Sequence, residues 1–212
     1  VTPPPYYLLN PREFEVELKI PNDIVQIEVY DQSADLDVTI QKTGNQQVQG
    51  GSQMRYDFSN IANNSNVPLE SFYWHDQIPT NAVTLNAIKT GTYNENLTYQ
   101  IVYRTNKNST WRVLAGGLNT LQSYDIDCTG SRLGFAWDEY ITEFRFEFGD
   151  VGAGFHSTSN PAILVTVSGR LPNGQQFANR ADAGGSYYGK WITNSYTWVT
   201  TVITPSRPVS YP

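Results

Sequence analysis

Lys42 occupies the most demanding chemical setting in this chain. It continues the apolar parity of Leu36, Val38 and Ile40, and alternate residues of a strand share a face, so its ammonium is directed toward a core where an unpaired charge is costly. Two outcomes are open: a side chain that snorkels outward just before Thr43-Gly44, or one that finds a buried partner. The densest acids are Asp76, Asp138, Glu139, Glu143 and Glu147. A glycosidase needs two such groups flanking its scissile bond, but Glu143 and Glu147 alternate with Phe144, Phe146 and Phe148, as expected on the wet side of a half-buried strand. His75-Asp76 has the composition of a base and its orienter, yet adjacent strand residues point to opposite faces, and no serine sits in a G-x-S-x-G turn to be activated. Cys128, in the alternating run Asp125-Ile126-Asp127-Cys128, fits a small buried hydrophobe better than a nucleophile. No catalytic residue is assigned, and the chain is expected not to be an enzyme.

Asp57, Asn60, Asn63, Asn64 and Asn66, and separately Asp125 and Asp127, offer oxygen ligands of the kind calcium accepts. No spaced loop motif organises them, and asparagine is also what tight turns require. Calcium is the one cofactor left open, and no metal ligand is assigned. A single cysteine excludes an intrachain disulfide, and two histidines, His75 and His156, are too few for a conventional structural zinc site. Tyr187, Tyr188 and Trp191 are candidate ligand-binding residues, because aromatic planes stack on sugars and dominate interface energetics. Trp198, in register with Tyr196, Thr200 and Val202, fits a core position instead.

These groups need a scaffold, and the composition names its class. The 212 residues include 14 Tyr, 9 Phe and 5 Trp against one Met, and aromatic and β-branched side chains favour pleated surfaces. A chain of this length buries roughly 70% of its unfolded surface. The net charge of −6, with 14 Lys and Arg and no basic run, excludes a phosphate-tracking surface, so no nucleic-acid partner is expected. No apolar run is long enough to span a bilayer, so no membrane contact is expected within this segment. With no initiator Met and no signal peptide, Val1 is expected to begin a fragment of a longer polypeptide.

Residues 14–20 and 24–30 alternate apolar and polar positions around Pro21-Asn22-Asp23, predicting a hairpin with Phe14, Val16, Leu18 and Ile20 on one face and Val25, Ile27 and Val29 likewise. Further strands are expected near 36–42, 53–60, 69–75, 83–90, 97–105, 110–115, 121–127, 140–149, 162–169, 175–181 and 196–204. Turns are expected at Gly50-Gly51, Gly116-Gly117, Asn173-Gly174 and Gly184-Gly185, the Asn-Gly pair being the strongest hairpin signal. One short helical turn is expected within Ser131–Tyr140. The fold class is therefore all-β, an Ig-like or jelly-roll-like antiparallel sandwich.

Within Val38 to Pro79, a K-T-G strand, a Y-x-F-x-N-x-x-N strand and a D-x-x-P strand end follow one another. Together with residues 133–155 and 171–191, this stretch resembles an Ig-like β-sandwich domain of clostridial and other Gram-positive cell-surface proteins of adhesin type, over roughly residues 34–204. The P-x-Y-x-L-x-P segment and the strands after it resemble the last strands of a prealbumin-like module of the collagen-adhesin B type. The glutamate that such modules carry shortly before the Pro-Tyr segment would precede Val1.

The resemblance implies three parts: residues 1–33 as a remnant of, or bridge to, a preceding module, 34–204 as the sandwich, and 205–212 as a Pro-containing linker. It implies an extracellular, cell-wall-associated stalk or interaction domain of an adhesin. Its partners would be neighbouring domains of the same polypeptide and a host glycan or matrix protein. A carbohydrate-binding module using Tyr187, Tyr188 and Trp191 is the alternative. Related surface modules use a buried strand lysine of lowered pKa to attack an Asn or Asp with help from a carboxyl, forming an amide crosslink. Lys42 would be that lysine, with Asn60, Asn179 and Asn194 as candidate acceptors.

Overall fold

The computed structural model describes residues 7–10, 13–20, 23–29, 33–205 and 210, with side chains from residue 33 onward. Its strands in chain order are β1 (Tyr7–Asn10), β2 (Glu13–Ile20), β3 (Asp23–Val29), β4 (Val38–Thr43), β5 (Gln47–Val48), β6 (Gln53–Asn63), β7 (Leu69–Gln77), β8 (Val83–Lys89) and β9 (Thr92–Tyr93). They continue as β10 (Thr98–Thr105), β11 (Arg112–Asn119), β12 (Asp125–Asp127), β13 (Ile141–Val151), β14 (Ser157–Ser159), β15 (Ala162–Val167), β16 (Gln176–Tyr187) and β17 (Lys190–Val202). One helical turn, α1 (Gly130–Leu133), lies between β12 and β13 and closes on Gly134. The fold is an all-β sandwich of a seven-stranded sheet, ordered β11-β10-β13-β7-β16-β17-β5, and a five-stranded sheet, ordered β12-β8-β15-β6-β4.

The N-terminal segment forms its own three-stranded sheet, β1-β2-β3. The expected hairpin is there as β2 and β3, with Phe14 opposite Val29, Val16 opposite Ile27 and Leu18 opposite Val25. The apolar positions are thus paired with one another in the ladder register. Pro21 and Asn22, and most of the expected linker 205–212, lie outside the described residues.

Aromatic side chains knit the two large sheets together. Trp74 on β7 is fully buried, 4.1 Å from the Phe146 ring on its own sheet and 4.6 Å from Phe58 on the facing one. Its indole N–H donates to the Tyr93 hydroxyl at 3.0 Å, which in turn donates to the Thr90 carbonyl, so the polar edges buried with these rings are satisfied. Phe144, Phe146 and Phe148 all face inward, as their alternation with Glu143, Arg145 and Glu147 predicts.

Three expected turns are placed differently. Asn173-Gly174 is not a hairpin: the turn from Pro172 to Gln175, with Gly174 at φ 84°, carries the chain from one sheet to the other. The reason lies in β15, whose two edges are already taken by β6 and β8, so β16 must pair elsewhere and finds β7 and β17. Gly184 and Gly185 lie inside β16. A Cβ on Gly184 would stand 2.9 Å from the Ile192 carbonyl and 3.0 Å from the Tyr73 ring, so close packing calls for glycine there. The hairpin comes four residues later at Tyr188-Gly189, both with positive φ (47° and 77°), as a type I′ turn demands. Gly116-Gly117 falls within β11, at a register shift against β10.

Trp74→Ala is expected to destabilise the domain by about 3–5 kcal/mol, read as a lowered midpoint in guanidinium unfolding. A loss under 1 kcal/mol would show that the two sheets are not held by this cluster.

Candidate functional site

Three inward-facing polar residues meet between the sheets. On β4 the buried positions are Val38, Ile40 and Lys42, so Lys42 keeps the parity of its apolar neighbours and does not turn outward. On β7 they include Phe72, Trp74 and Asp76, and on β16 Phe177, Asn179 and Ala181. Asp76 pairs in register with Ala181, which places Asn179 diagonally across on the same face. Lys42 comes from the opposite sheet, where it pairs with Phe58. All three side chains have 0% exposure.

The Lys42 Nζ lies 2.5 Å from Asp76 Oδ1 and sits over the rings of Tyr56 and Phe58, 4.4 and 4.6 Å from their centroids. Asn179 Nδ2 donates to Asp76 Oδ2 at 3.2 Å, while Asn179 Oδ1 has no partner. Burial drives the Lys42 pKa down to about 8 against the attraction of Asp76. The same burial raises Asp76, only partly offset by Lys42 and Asn179. Both shifts run toward the uncharged pair, a free amine beside a protonated acid, because burial penalises each charge. An amine of this kind is a nucleophile, and the acid can hand its proton to a carboxamide oxygen. A half-turn of the Asn179 carboxamide about χ2 brings its orphaned oxygen to that proton.

The other two candidate acceptors stand apart from Lys42. Asn60, at φ 49°, is exposed and donates to Gln41 on the edge of the five-stranded sheet. Asn194 is exposed and donates to the Val38 carbonyl at 3.1 Å. Asp76 is the residue that reading for acids alone undervalues. The signal for it is parity, because Phe72, Trp74 and Asp76 alternate as Val38, Ile40 and Lys42 do.

The remaining candidates are held in structural roles. Cys128 is buried, and burial pushes its thiol up to about 12. Asn63, fully buried, donates to the Val67 and Gly152 carbonyls and accepts from Ser65 N–H. Asp57 pairs with Arg55, Asp125 with Lys89, and Asp127 accepts from Thr129 N–H. Among the described residues, no group of three or more His, Cys, Asp or Glu side chains could hold a metal ion. Asp138 and Glu139 pair with Lys107 and Arg112. Tyr187 and Tyr188 touch edge to face at 4.7 Å beside the hairpin tip, whereas Trp191 leans toward Tyr73, 6.4 Å away.

On the outer face of the seven-stranded sheet, His75 lies between two carboxylates, Asp182 at 2.6 Å from Nδ1 and Glu143 at 2.9 Å from Nε2. Arg104 also binds Glu143, and the guanidiniums of Arg104 and Arg145 lie 4.1 and 4.5 Å from the Trp111 ring centroid. His75 and Asp76 thus face opposite sides of one strand, as strand geometry requires.

No family model and no curated protein matches this chain. Among solved structures, it superposes on a cohesin module of a family 33 glycoside hydrolase from Clostridium perfringens with a TM-score of 0.39 and 11% identity, covering 79% of this chain and 98% of that one. A collagen-binding domain of a Staphylococcus aureus adhesin gives 0.35 and 14%, covering 79% and 99%. A Corynebacterium diphtheriae protein described as membrane anchored gives 0.42 and 11%, covering 93% of this chain and 40% of its own. Likeness at this level establishes neither a family nor a function.

Burial pulls the His75 pKa down, but Asp182 and then Glu143 outweigh it, leaving the imidazole above its ordinary value. A folded-state pKa raised in this way contributes stability that is complete below the unfolded value of about 6.5 and is lost as pH rises through the folded value. Denaturant unfolding across this range should show that decline in the native sequence, and His75→Gln should flatten it. An equal pH slope in both proteins would contradict the arrangement.

Proposed function

We propose that this chain is a non-enzymatic, load-bearing module of an extracellular bacterial surface protein, an adhesin stalk or interaction domain. In this reading its two sheets are joined by an amide between Lys42 and Asn179. The observation that carries the proposal is the buried contact of Lys42 with Asp76 and of Asp76 with Asn179. The surface-protein motifs in residues 38–79, 133–155 and 171–191 agree with it.

The reaction balances without a cofactor. The neutral Lys42 amine attacks the Asn179 carboxamide carbon while Asp76 gives its proton to the carboxamide oxygen. The tetrahedral centre then collapses, the C–Nδ2 bond breaks, and the nitrogen departs as ammonia carrying protons returned through Asp76. One Nζ–Cγ bond forms and one ammonia is lost. The Tyr56 and Phe58 rings around Lys42 and its complete burial lower the pKa to about 8, raising the fraction of free amine, and exclude the water that would compete for the same carbon.

The positions of the two ends give the bond a mechanical meaning. Lys42 lies on the first strand of the sandwich and Asn179 on the penultimate one. Tension along the chain would pass from Lys42 through the amide to Asn179 and leave residues 43–178 unloaded. A crosslink closing so long a loop contributes about 4–5 kcal/mol in chain-entropy terms. Wall attachment, neighbouring domains and a matrix or glycan partner belong to this same proposal.

The intact mass of the purified protein should fall short of the sequence mass by one ammonia. Lys42→Ala, Asp76→Ala and Asn179→Ala should each restore the full sequence mass and lower the thermal midpoint. An unmodified native protein would refute the crosslink.

A further inference from the structure

We infer that the outer face of the seven-stranded sheet carries a binding groove for a neutral oligosaccharide, at a place distinct from the buried crosslink site and independent of it. The groove, about 590 Å³ in volume, crosses β7, β13 and β10 and falls within the roughly 300–1,000 Å³ typical of small-molecule sites. It exists because the strands beneath it are bulged. Ser71 on β7 has φ 52°, Gly149 on β13 has φ 72° and Gly117 on β11 has φ 64°, and pairing slips at each place. A Cβ added at Gly149 or Gly117 would meet nothing within 4 Å, so the floor there is open. Of the three, Ser71 is the non-glycine residue held at positive φ, a strained backbone of the kind that clusters at ligand sites.

The lining chemistry selects the ligand. Trp191, 56% exposed, forms one wall and leans over Tyr73, giving a flat aromatic surface for the C–H face of a pyranose. The charged residues of the lining are Arg145 and Glu147, which pair with each other at 2.8 Å, so the groove has no net charge to attract an anionic or cationic ligand. Gln100 donates to Glu147 at 3.1 Å, and Arg145 Nε is buried without a partner. Amide, carboxylate and guanidinium groups of this kind are suited to vicinal hydroxyls. An extended peptide is disfavoured, because β7, β13 and β10 are each paired on both edges and offer no open ladder to add a strand to.

Screening the full chain on an array of neutral, sialylated and sulfated glycans, with calorimetric titration of the best neutral hit, tests the assignment. The expected result is saturable binding of a neutral oligosaccharide, weakened roughly tenfold by Trp191→Ala and abolished by Thr98→Trp, which fills the groove from its rim. Both variants should keep the native unfolding midpoint, since both positions are exposed. No binding to any glycan, a preference for sialylated or sulfated glycans, or affinity unchanged in both variants would each overturn it.

Discussion

A lysine, an aspartate and an asparagine with no access to water, set between two sheets of aromatic side chains, impose the constraint on which the rest of this structure depends. Two ions in such a place cost several kcal/mol of desolvation, and removing one partner from a buried pair costs about 3–5 kcal/mol more. Burial lowers the Lys42 pKa to about 8 and raises that of Asp76, so the pair is shifted toward its uncharged form, and the close Lys42–Asp76 contact offsets part of the cost. That arrangement requires the parity of β4, β7 and β16 to agree, so that Lys42, Asp76 and Asn179 each fall on the inward face. It also requires the two sheets to face each other closely enough for the Lys42 side chain to cross the gap. A one-residue slip in any of the three strands would turn its polar group to solvent and bring a flanking residue into the core.

The two faces of the seven-stranded sheet then carry different chemistry. The inner face is dry, and its polar groups are few and fully enclosed. The outer face is a mesh of paired charges in which His75, Asp182, Glu143, Arg104 and Arg145 surround Trp111. Such half-exposed pairs contribute modestly to stability, but they fix side chains around the bulged groove beside Trp191. The inner face holds the sheets together, and the groove proposed as a binding site lies on the outer one.

Much of this was legible from the two-residue rhythm of the sequence. The strand containing Phe144, Phe146 and Phe148, the inward aim of Lys42 and the placing of His75 and Asp76 on opposite faces all follow from it. Glycine and asparagine pairs misled where tertiary packing overrode local preference. Gly184-Gly185 continues a strand because Tyr73 and Thr193 close over it, and Asn173-Gly174 turns between sheets because β15 has no free edge. The acceptor proposed for Lys42 was only half legible. Asn179 shares parity with Phe177 and Ala181, but so could other asparagines, and selecting among them needs the long-range register of β7 against β16. Asp76 was visible as an acid in an apolar stripe, though its role appears only once the opposite sheet is in place. The groove left no local trace beyond Trp191, since it arises from bulges on three strands.

The proposed amide between Lys42 and Asn179 is read out by proteolytic peptide mapping with tandem mass spectrometry. The expected product is a branched peptide in which the segment around Lys42 is linked to the segment around Asn179, absent from Asp76→Ala. Recovery of both segments as separate linear peptides from the native protein, or linkage of Lys42 to Asn60 or Asn194, would contradict it.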